Sequence, residues 1–468
     1  MWGGVGVVTL LIVAVGVALF LGVHRYRSLI ESAVSHALGP DFTIRGQASF
    51  QLFPPRLALR NLHLFRGKVE VLSGEDLQAF PQWMPFLLHG TLSIDRVSLL
   101  RPKIRIEPGS QGPDTALAPG TAQSQGTAQD TVSRHGTMSL LSIQQGEITY
   151  VDRASGRSVE IGGLDLSLSD ISWDHIPAGS PLALLKSLSL QGTLRVAALQ
   201  VGTFKASDLR CGITDEHGLL QLDSLVIALF GGSSRGSFTL DLRPTAPRLR
   251  FVQTASQVDL AQVYPVQIAL GTAQASLDLE GGGKDARAIT STMKGRAAIR
   301  SDHISLNVDI DAQIAAYERT QNFSLIDLAA LIIAGPFAPL VTKGVDYSRL
   351  VVFGHGKPKS EIRRVVSEWS IVGGIAKTKD VAFTTPKHTV AFRGEVNLMA
   401  GVYQGLFVAT VDPHGCSLVI RPVSGPIAHP NVGGPASQAI GPFKAAFQNA
   451  EKLVHNPCDH FYSGSALH

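Results

Sequence analysis

Charged residues are scarce in this chain of 468 residues, and their scarcity excludes one broad class of partner. Asp, Glu, Lys and Arg together make up 17% of the sequence, and the net charge of +4 is spread along it without blocks. Proteins that bind nucleic acids need a concentrated basic patch to neutralise phosphates. The composition therefore predicts no nucleic-acid partner, while a hydrophobic share of 44% indicates much apolar surface to cover.

Cysteine is also rare: the chain has three, Cys211, Cys416 and Cys458, and none of them belongs to a C-x-x-C pair. Structural zinc sites and thioredoxin-like redox sites use such closely spaced pairs, so the sequence predicts no metal site. Cys416 and Cys458 flank the C-terminal tail. Either all three are free thiols or, in an oxidising compartment, Cys416 and Cys458 pair and stabilise the fold by about 4 kcal/mol.

Catalytic signatures are missing in the contexts that they require. The histidines form no H-E-x-x-H motif, and no glycine pattern for nucleotide phosphates lies between a strand and a helix. The segment GSSRG, Gly232–Gly236, matches G-x-S-x-G, but a strand pattern follows it where a nucleophile elbow needs a helix. A hydrolase built on Ser234 is therefore the weakest hypothesis, and we predict no catalytic residue, no cofactor and no enzyme.

The first 23 residues carry no charged side chain. As a helix, about 22 residues span about 33 Å, enough for the hydrocarbon core of a bilayer. A cleaved signal peptide would have a charged start and a small-residue cleavage site, and neither occurs before His24. We therefore predict one uncleaved transmembrane helix over 1–23. Arg25 and Arg27 follow it, so the positive-inside rule alone places the rest of the chain in the cytoplasm.

Apolar residues alternate with polar ones along much of the remaining chain, which is typical of strands with one buried face. In VAFRGEVNL, 390–398, apolar residues and one glycine occupy every second position. The same repeat runs through LDLSLSD, 164–170, and ISLNVDID, 304–311. Strands do not alternate with helices, so we predict a mainly β, antiparallel fold. Alternation alone cannot distinguish closed sandwiches from an open sheet.

The chain divides into seven parts by composition. A stretch of Gly, Ser, Thr, Gln and Ala has almost nothing to bury and indicates a disordered linker, whereas a later apolar run is helical in pattern but too short to span a membrane. The predicted parts are an anchor (1–23), a helix followed by strands (24–108), the linker (109–136), strands (137–311), a helical segment (312–344), further strands (345–430) and a tail with one helix (431–468).

The order of several segments resembles the AsmA family of envelope proteins. In the N-terminal part, IRGQASFQLFPPRLALRNLHL and LHGTLSIDRVSLLRPKIRIE follow the apolar span and a short helix. In the C-terminal part, SLIDLAALIIAGPFAPLVTKG, GIAKTKDVAFTTPKHTVAFRGEVNL and VDPHGCSLVIRPVSGPIAHPNV carry the likeness, and NPCDHFYSGS is similar to the ending of one subgroup. The resemblance covers most of the chain apart from the linker and parts of the middle.

This resemblance implies a single-pass inner-membrane protein of a Gram-negative cell with its bulk in the periplasm. It also implies a sheet like that of bridge-like lipid carriers, an elongated, curved β-groove with an apolar concave face. Members of the family are linked to phospholipid movement toward the outer membrane and to envelope assembly. The expected partners are phospholipids, the inner membrane and other envelope proteins.

On this basis we expect acyl chains to lie against the apolar strand faces. Each buried CH₂ contributes about 0.8 kcal/mol, and a head group that stays in water needs no charged site. The alternative is a set of closed sandwich domains that act as a scaffold or regulator of outer-membrane assembly without binding lipid. The residues predicted to contact lipid are Leu164, Leu166, Leu168, Ile304, Leu306, Val308, Val390, Phe392, Val396 and Leu398.

Overall fold

The computed structural model of the protein describes residues 42–51, 56–66, 69–82, 94–107, 136–153, 156–174, 181–202, 204–263, 268–320, 359–427, 431–432, 458 and 460–467. The predicted anchor, 1–23, lies outside these ranges, as do the linker up to residue 135, most of the helical segment and most of the tail. None of the helices within the described ranges is long and apolar enough to span a membrane.

Strands make up most of the described residues, which confirms the prediction of a mainly β fold with few helices. The strands are β1 (Phe42–Gln51), β2 (Arg56–Arg66), β3 (Val69–Pro81), β4 (Ile94–Leu100), β5 (Lys103–Ile106), β6 (Gly136–Asp152), β7 (Arg157–Trp173), β8 (Leu188–Val201), β9 (Phe204–Glu216), β10 (Leu219–Leu229), β11 (Gly232–Asp241), β12 (Arg248–Asp259), β13 (Ile268–Gly282), β14 (Lys294–Leu306), β15 (Ser360–Val372), β16 (Ile375–Thr384), β17 (Thr389–Asn397), β18 (Val402–Val411), β19 (Ser417–Ser424) and β20 (Asn431–Val432). The helices are α1 (Pro181–Ser187), α2 (Leu260–Val263), α3 (Ala286–Thr292) and α4 (Ile310–Thr320).

The chain forms two compact units, Met1–Leu220 and Gln221–His468, which we call unit 1 and unit 2. In unit 1, β1 to β3 form antiparallel pairs, β3 pairs with both β4 and β5, and β6 to β9 are again antiparallel. One step departs from the predicted antiparallel pairing, because β6 runs parallel to β4 and β5. A parallel neighbour needs a long connection, and the segment between Ile106 and Gly136 provides it.

A left-handed backbone kink recurs within the strands of unit 1 and between β4 and β5. Left-handed φ angles occur at Asn61 (50°), Arg101 (48°), Gln145 (54°), Gly163 (62°) and Asp208 (51°). Residues with a side chain rarely adopt this conformation, so the four positions other than Gly163 need support from their surroundings. Part of that support is polar, since Arg101 Nε donates to Oε1 of Gln145 at 2.8 Å.

The kink also changes which positions along a strand point to the same face of the sheet. In β2, Leu57 and Leu59 precede the left-handed Asn61, and Leu62 and Leu64 follow it. A bulge adds one residue to a strand, so apolar residues on both sides of it can remain on one face of the sheet. A strict two-residue repeat therefore underestimates the apolar face of unit 1.

Unit 2 contains an antiparallel meander from β11 to β20. Apolar side chains from β13 to β19 meet in one buried cluster that includes Trp369 and Phe383. Helical residues belong to the same cluster: Leu260 of α2, and Ile310 and Ile314 of α4, both fully buried. Helices thus help to cover the apolar side of this meander, and its core is closed by protein.

The end of β14 differs from the sequence prediction. Alternation over 304–311 predicts a strand as far as Asp311, but β14 ends at Leu306 and α4 begins at Ile310. Asp309 Oδ1 accepts the amide N–H of Ala312 at 2.9 Å and so caps the first turn of α4. The prediction is wrong here because acidic residues at a helix start imitate the polar positions of a strand.

The C-terminal strap, residues 460–467, packs on a second and smaller cluster in unit 2. Its Tyr462 and Ala466 join Ala382, Ala391 and Ala409, and these small side chains leave room for the strap. A disulfide between Cys416 and Cys458, 42 residues apart, forms the pairing anticipated for an oxidising compartment. The amides of Phe461 and Tyr462 both donate to the carbonyl oxygen of Gly415.

Asp380 is the main polar anchor of the strap. Its carboxylate accepts hydrogen bonds from the Tyr462 hydroxyl at 2.5 Å, from the Ser465 amide at 3.0 Å and from the Ser465 hydroxyl at 2.7 Å. Burial raises the pKa of Tyr462, and the hydrogen bond to Asp380 raises that pKa further. The Tyr462 hydroxyl must therefore keep its proton in order to donate this hydrogen bond to Asp380.

The raised pKa of Tyr462 predicts a loss of unit 2 stability at alkaline pH. Above about pH 10, an unfolded tyrosine loses its proton while the folded chain keeps that of Tyr462, so the folded state binds more protons and its stability falls as the pH rises. Tyr462→Phe should cost about 1–3 kcal/mol at neutral pH through the lost hydrogen bond, yet remove part of the alkaline slope. Urea unfolding on either side of about pH 10 measures both effects.

The control for this experiment is Tyr150→Phe, a substitution in unit 1 that should leave the unit 2 transition unchanged. An identical alkaline slope in the Tyr462→Phe variant and the unmodified chain would show that this phenol does not carry the pH dependence.

Candidate functional site

An apolar surface crosses seven strands of unit 1, and the strand register defines it. Residues directly opposite one another in paired strands lie on the same face, in antiparallel and in parallel pairs. The central row consists of Leu59, Leu77, Leu99, Ile143, Leu166, Leu194 and Cys211. The adjacent row consists of Leu57, Ala79, Val97, Leu141, Leu168, Gly192 and Ile213. We call these two rows the apolar face; at about 4.8 Å per strand it is about 29 Å long.

The opposite face of the same strands is polar. Ser167 lies between Leu166 and Leu168 in β7, and its own register row is made of small polar residues. That row consists of Gln78, Ser98, Ser142, Ser167 and Thr193. The row continues to Ala58 in β2 and Gly212 in β9, so the opposite face is polar over the five strands between them.

Most side chains of the apolar face are neither sealed nor fully exposed. Leu77, Leu99, Ile143, Leu166 and Leu194 are all half-buried. Among the residues that the structure describes, both clusters of packed, buried apolar side chains lie in unit 2. Among these residues, the apolar face of unit 1 therefore has no packed cluster like the one that closes the core of unit 2.

The β9 end of the apolar face contains two titratable groups. Burial raises the pKa of the Cys211 thiol, which keeps it protonated and suited to an apolar row. Asp215 lies opposite Leu190, two residues beyond Ile213, and burial raises its pKa as well. One oxygen of its carboxyl group accepts the Gly218 amide at 3.0 Å. This carboxyl marks the end of the apolar face along β9.

The structure divides the residues predicted to contact lipid between two environments. Leu164, Leu166 and Leu168 belong to β7, where Leu166 and Leu168 lie in the two rows and Leu164 is the next apolar residue, opposite Gly146 and Val196. The other predicted residues lie in unit 2, most of them at 0–8% exposure inside its closed core. They are Ile304, Leu306, Val390, Phe392, Val396 and Leu398, with Val308 packed against the same cluster. Protein covers these side chains of unit 2, and Leu164 of unit 1 is buried as well, whereas Leu166 and Leu168 are half-buried.

The segment GSSRG lies entirely within a strand. Ser234 belongs to β11, is 2% exposed and accepts a hydrogen bond from Nε2 of Gln253 at 2.5 Å. A nucleophile elbow presents its serine on a turn between a strand and a helix, and this serine is in the middle of a sheet. Its hydroxyl serves the cross-strand contact between β11 and β12.

Comparisons with protein-family models, curated proteins and solved structures find no match to the chain.

Proposed function

We propose that unit 1 binds the acyl chains of phospholipids on its apolar face. The observation that carries the proposal is the pair of apolar rows over seven strands, with half-buried side chains and no packed cluster among the described residues of unit 1. About ten CH₂ groups removed from water there would contribute about 8 kcal/mol before the costs of ordering the chain. A phospholipid is the ligand whose shape suits such a surface, because its tails are long and apolar and its head group can stay in water.

The cellular setting of the proposal comes from the resemblance to the AsmA family. With residues 1–23 as a single transmembrane helix in the inner membrane and the bulk of the chain in the periplasm, the apolar face would carry phospholipids in transport to the outer membrane or in its assembly. No cofactor and no chemical step are needed, since binding and release exchange one apolar environment for another.

A second candidate function is favoured by the closed core of unit 2. Its predicted lipid-contacting side chains, such as Phe392 and Leu306, are sealed inside protein. A scaffold or regulator of outer-membrane assembly would need such sealed domains and no bound lipid. Unit 2 alone fits this description, whereas the apolar face of unit 1 would remain unexplained by it.

Photochemical cross-linking in cells tests the proposal. We expect a photoreactive benzophenone amino acid in place of Leu166 to form phospholipid adducts, which mass spectrometry detects on the purified chain. The same amino acid in place of Ser167, one residue away on the polar face, should form none. Equal adducts at both positions, or none at Leu166, would contradict lipid binding on this face and favour the scaffold.

A further inference from the structure

Two cysteines and one histidine meet at the start of the C-terminal strap. Ligand atoms of Cys416, Cys458 and His460 all lie within 4.8 Å of one another, and His460 Nε2 is 3.9 Å from Cys458 Sγ. Cys458 and His460 are exposed, so ions and reductants in solution can reach them. In sequence the two cysteines are 42 residues apart, and only the fold brings the three groups together.

A hydrogen bond orients the histidine. His460 Nδ1 lies 3.2 Å from the carbonyl oxygen of His414, and a carbonyl can only accept, so Nδ1 carries the proton. In a neutral ring of this tautomer, Nε2, the nitrogen on the side of Cys458, is the one that carries a lone pair. Histidines that bind metals in proteins are commonly held in this way, with the second ring nitrogen donating to a backbone carbonyl.

Hydrogen bonds hold the strap in addition to the disulfide. The amides of Phe461 and Tyr462 donate to Gly415, the residue next to Cys416, and Asp380 holds Tyr462 and Ser465. The loop before Cys416 is also fixed, because Asp412 Oδ1 accepts the amide of Cys416 at 2.8 Å. Opening the disulfide would therefore leave two thiols and an imidazole close together.

We propose that these three side chains bind Zn²⁺ when the disulfide is reduced. A dithiol reductant delivers two electrons and two protons to the Cys416–Cys458 bond, giving two thiols, while its own sulfurs join as a disulfide. Zn²⁺ then displaces both thiol protons to water and bonds to the two sulfurs and His460 Nε2. At about 2.3 Å per bond, a tetrahedral ion holds its sulfurs about 3.8 Å apart, and a water molecule can take the fourth position.

The strap can therefore be attached to the sheet in two ways, through the disulfide or through a bound Zn²⁺ ion. In an oxidising compartment the covalent bond holds Cys458 against the sheet, and under reducing conditions the ion does so. The inference is independent of lipid binding, because the apolar face lies in unit 1 and the three ligands lie in unit 2. Its test is therefore separate from the cross-linking experiment at Leu166.

Zinc titration of the full-length, detergent-solubilised chain tests the site. We expect one Zn²⁺ per chain after treatment with a phosphine reductant and none before it, with two protons released per ion at a pH where free thiols are protonated. His460→Gln should weaken binding at least about tenfold, since even the loss of a residue that orients a ligand costs about 10–100-fold. This variant can still form the disulfide, so its fold can be checked in the oxidised state.

The matched control is His414→Gln, which removes an exposed imidazole nearby but keeps the backbone carbonyl that orients His460. Zinc affinity should be unchanged in this variant. The proposal is overturned if oxidised and reduced chains bind zinc equally, if reduction produces no binding, or if His460→Gln binds as tightly as the unmodified chain.

Discussion

Leu166→Glu is expected to lower the phospholipid load of the protein at least about tenfold while leaving unit 1 folded. Leu166 lies in the middle of the central row, with Ile143 and Leu194 opposite it on either side. Its contact with an acyl chain should contribute about 1.5–3 kcal/mol, and tenfold corresponds to about 1.4 kcal/mol. A carboxylate facing hydrocarbon without a partner adds a further penalty. Without lipid the new side chain can reach water, because Leu166 is only half-buried.

Ser167→Glu is the matched control, since it adds the same charge to the same strand on the polar face. Phospholipid that remains bound through purification is counted by native mass spectrometry, and circular dichroism checks that both variants keep their strands. A lipid load that falls equally in both variants would mean that charge on β7, rather than the apolar face, controls binding. An unchanged load in Leu166→Glu would remove the central row from the binding surface.

The sequence predicted the class of the fold well because alternation is a local signal. The apolar repeats over 164–168 and 390–396 lie inside β7 and β17. What alternation does not encode is which protein layer, if any, covers the apolar side. Phe392 and Leu166 lie in strands of the same pattern, yet one is sealed in a core and the other is half-buried.

The extent of the apolar face was predicted only in part, for a backbone reason. Leu164, Leu166 and Leu168 were found from one strand, but their neighbours Ile143 and Leu194 were not. Left-handed residues break the two-residue repeat in several strands. The residue type does not reveal this conformation at a position such as Gln145. The cross-strand rows require register, which depends on turns and bulges and not on local composition.

The cysteine cluster illustrates a similar limit. The spacing of the cysteines in the sequence predicts no metal site, because no C-x-x-C exists. The fold brings Cys458 and His460 beside Cys416 through the return of the C-terminal strap to the sheet. Closely spaced ligand residues in a sequence indicate metal sites whose ligands share one turn. They give no information on ligands that tertiary contacts bring together.

Phe392→Asp is expected to unfold unit 2, in contrast to the mild structural effect expected at Leu166. Phe392 is 3% exposed and lies opposite Val408, another member of the closed core. Removing a buried Phe side chain costs about 3–5 kcal/mol, and an unpaired carboxylate in the cavity adds several kcal/mol more. Domains are commonly stable by about 5–15 kcal/mol, so the sum approaches or exceeds the whole stability of the unit. Hydrogen exchange should show loss of protection across β15 to β18.

Arg393→Asp provides the comparison, because Arg393 is the exposed neighbour of Phe392 on the other face of β17. A surface change of this kind usually alters stability by less than about 1 kcal/mol, and protection in β15 to β18 should persist. The two substitutions also distinguish a closed core from an open groove in unit 2. If Phe392→Asp kept its hydrogen-exchange protection and only lost bound lipid, the face around Phe392 would be open to ligand in solution. Unit 2 would then bind lipid itself, and a closed core would be the wrong description of its meander.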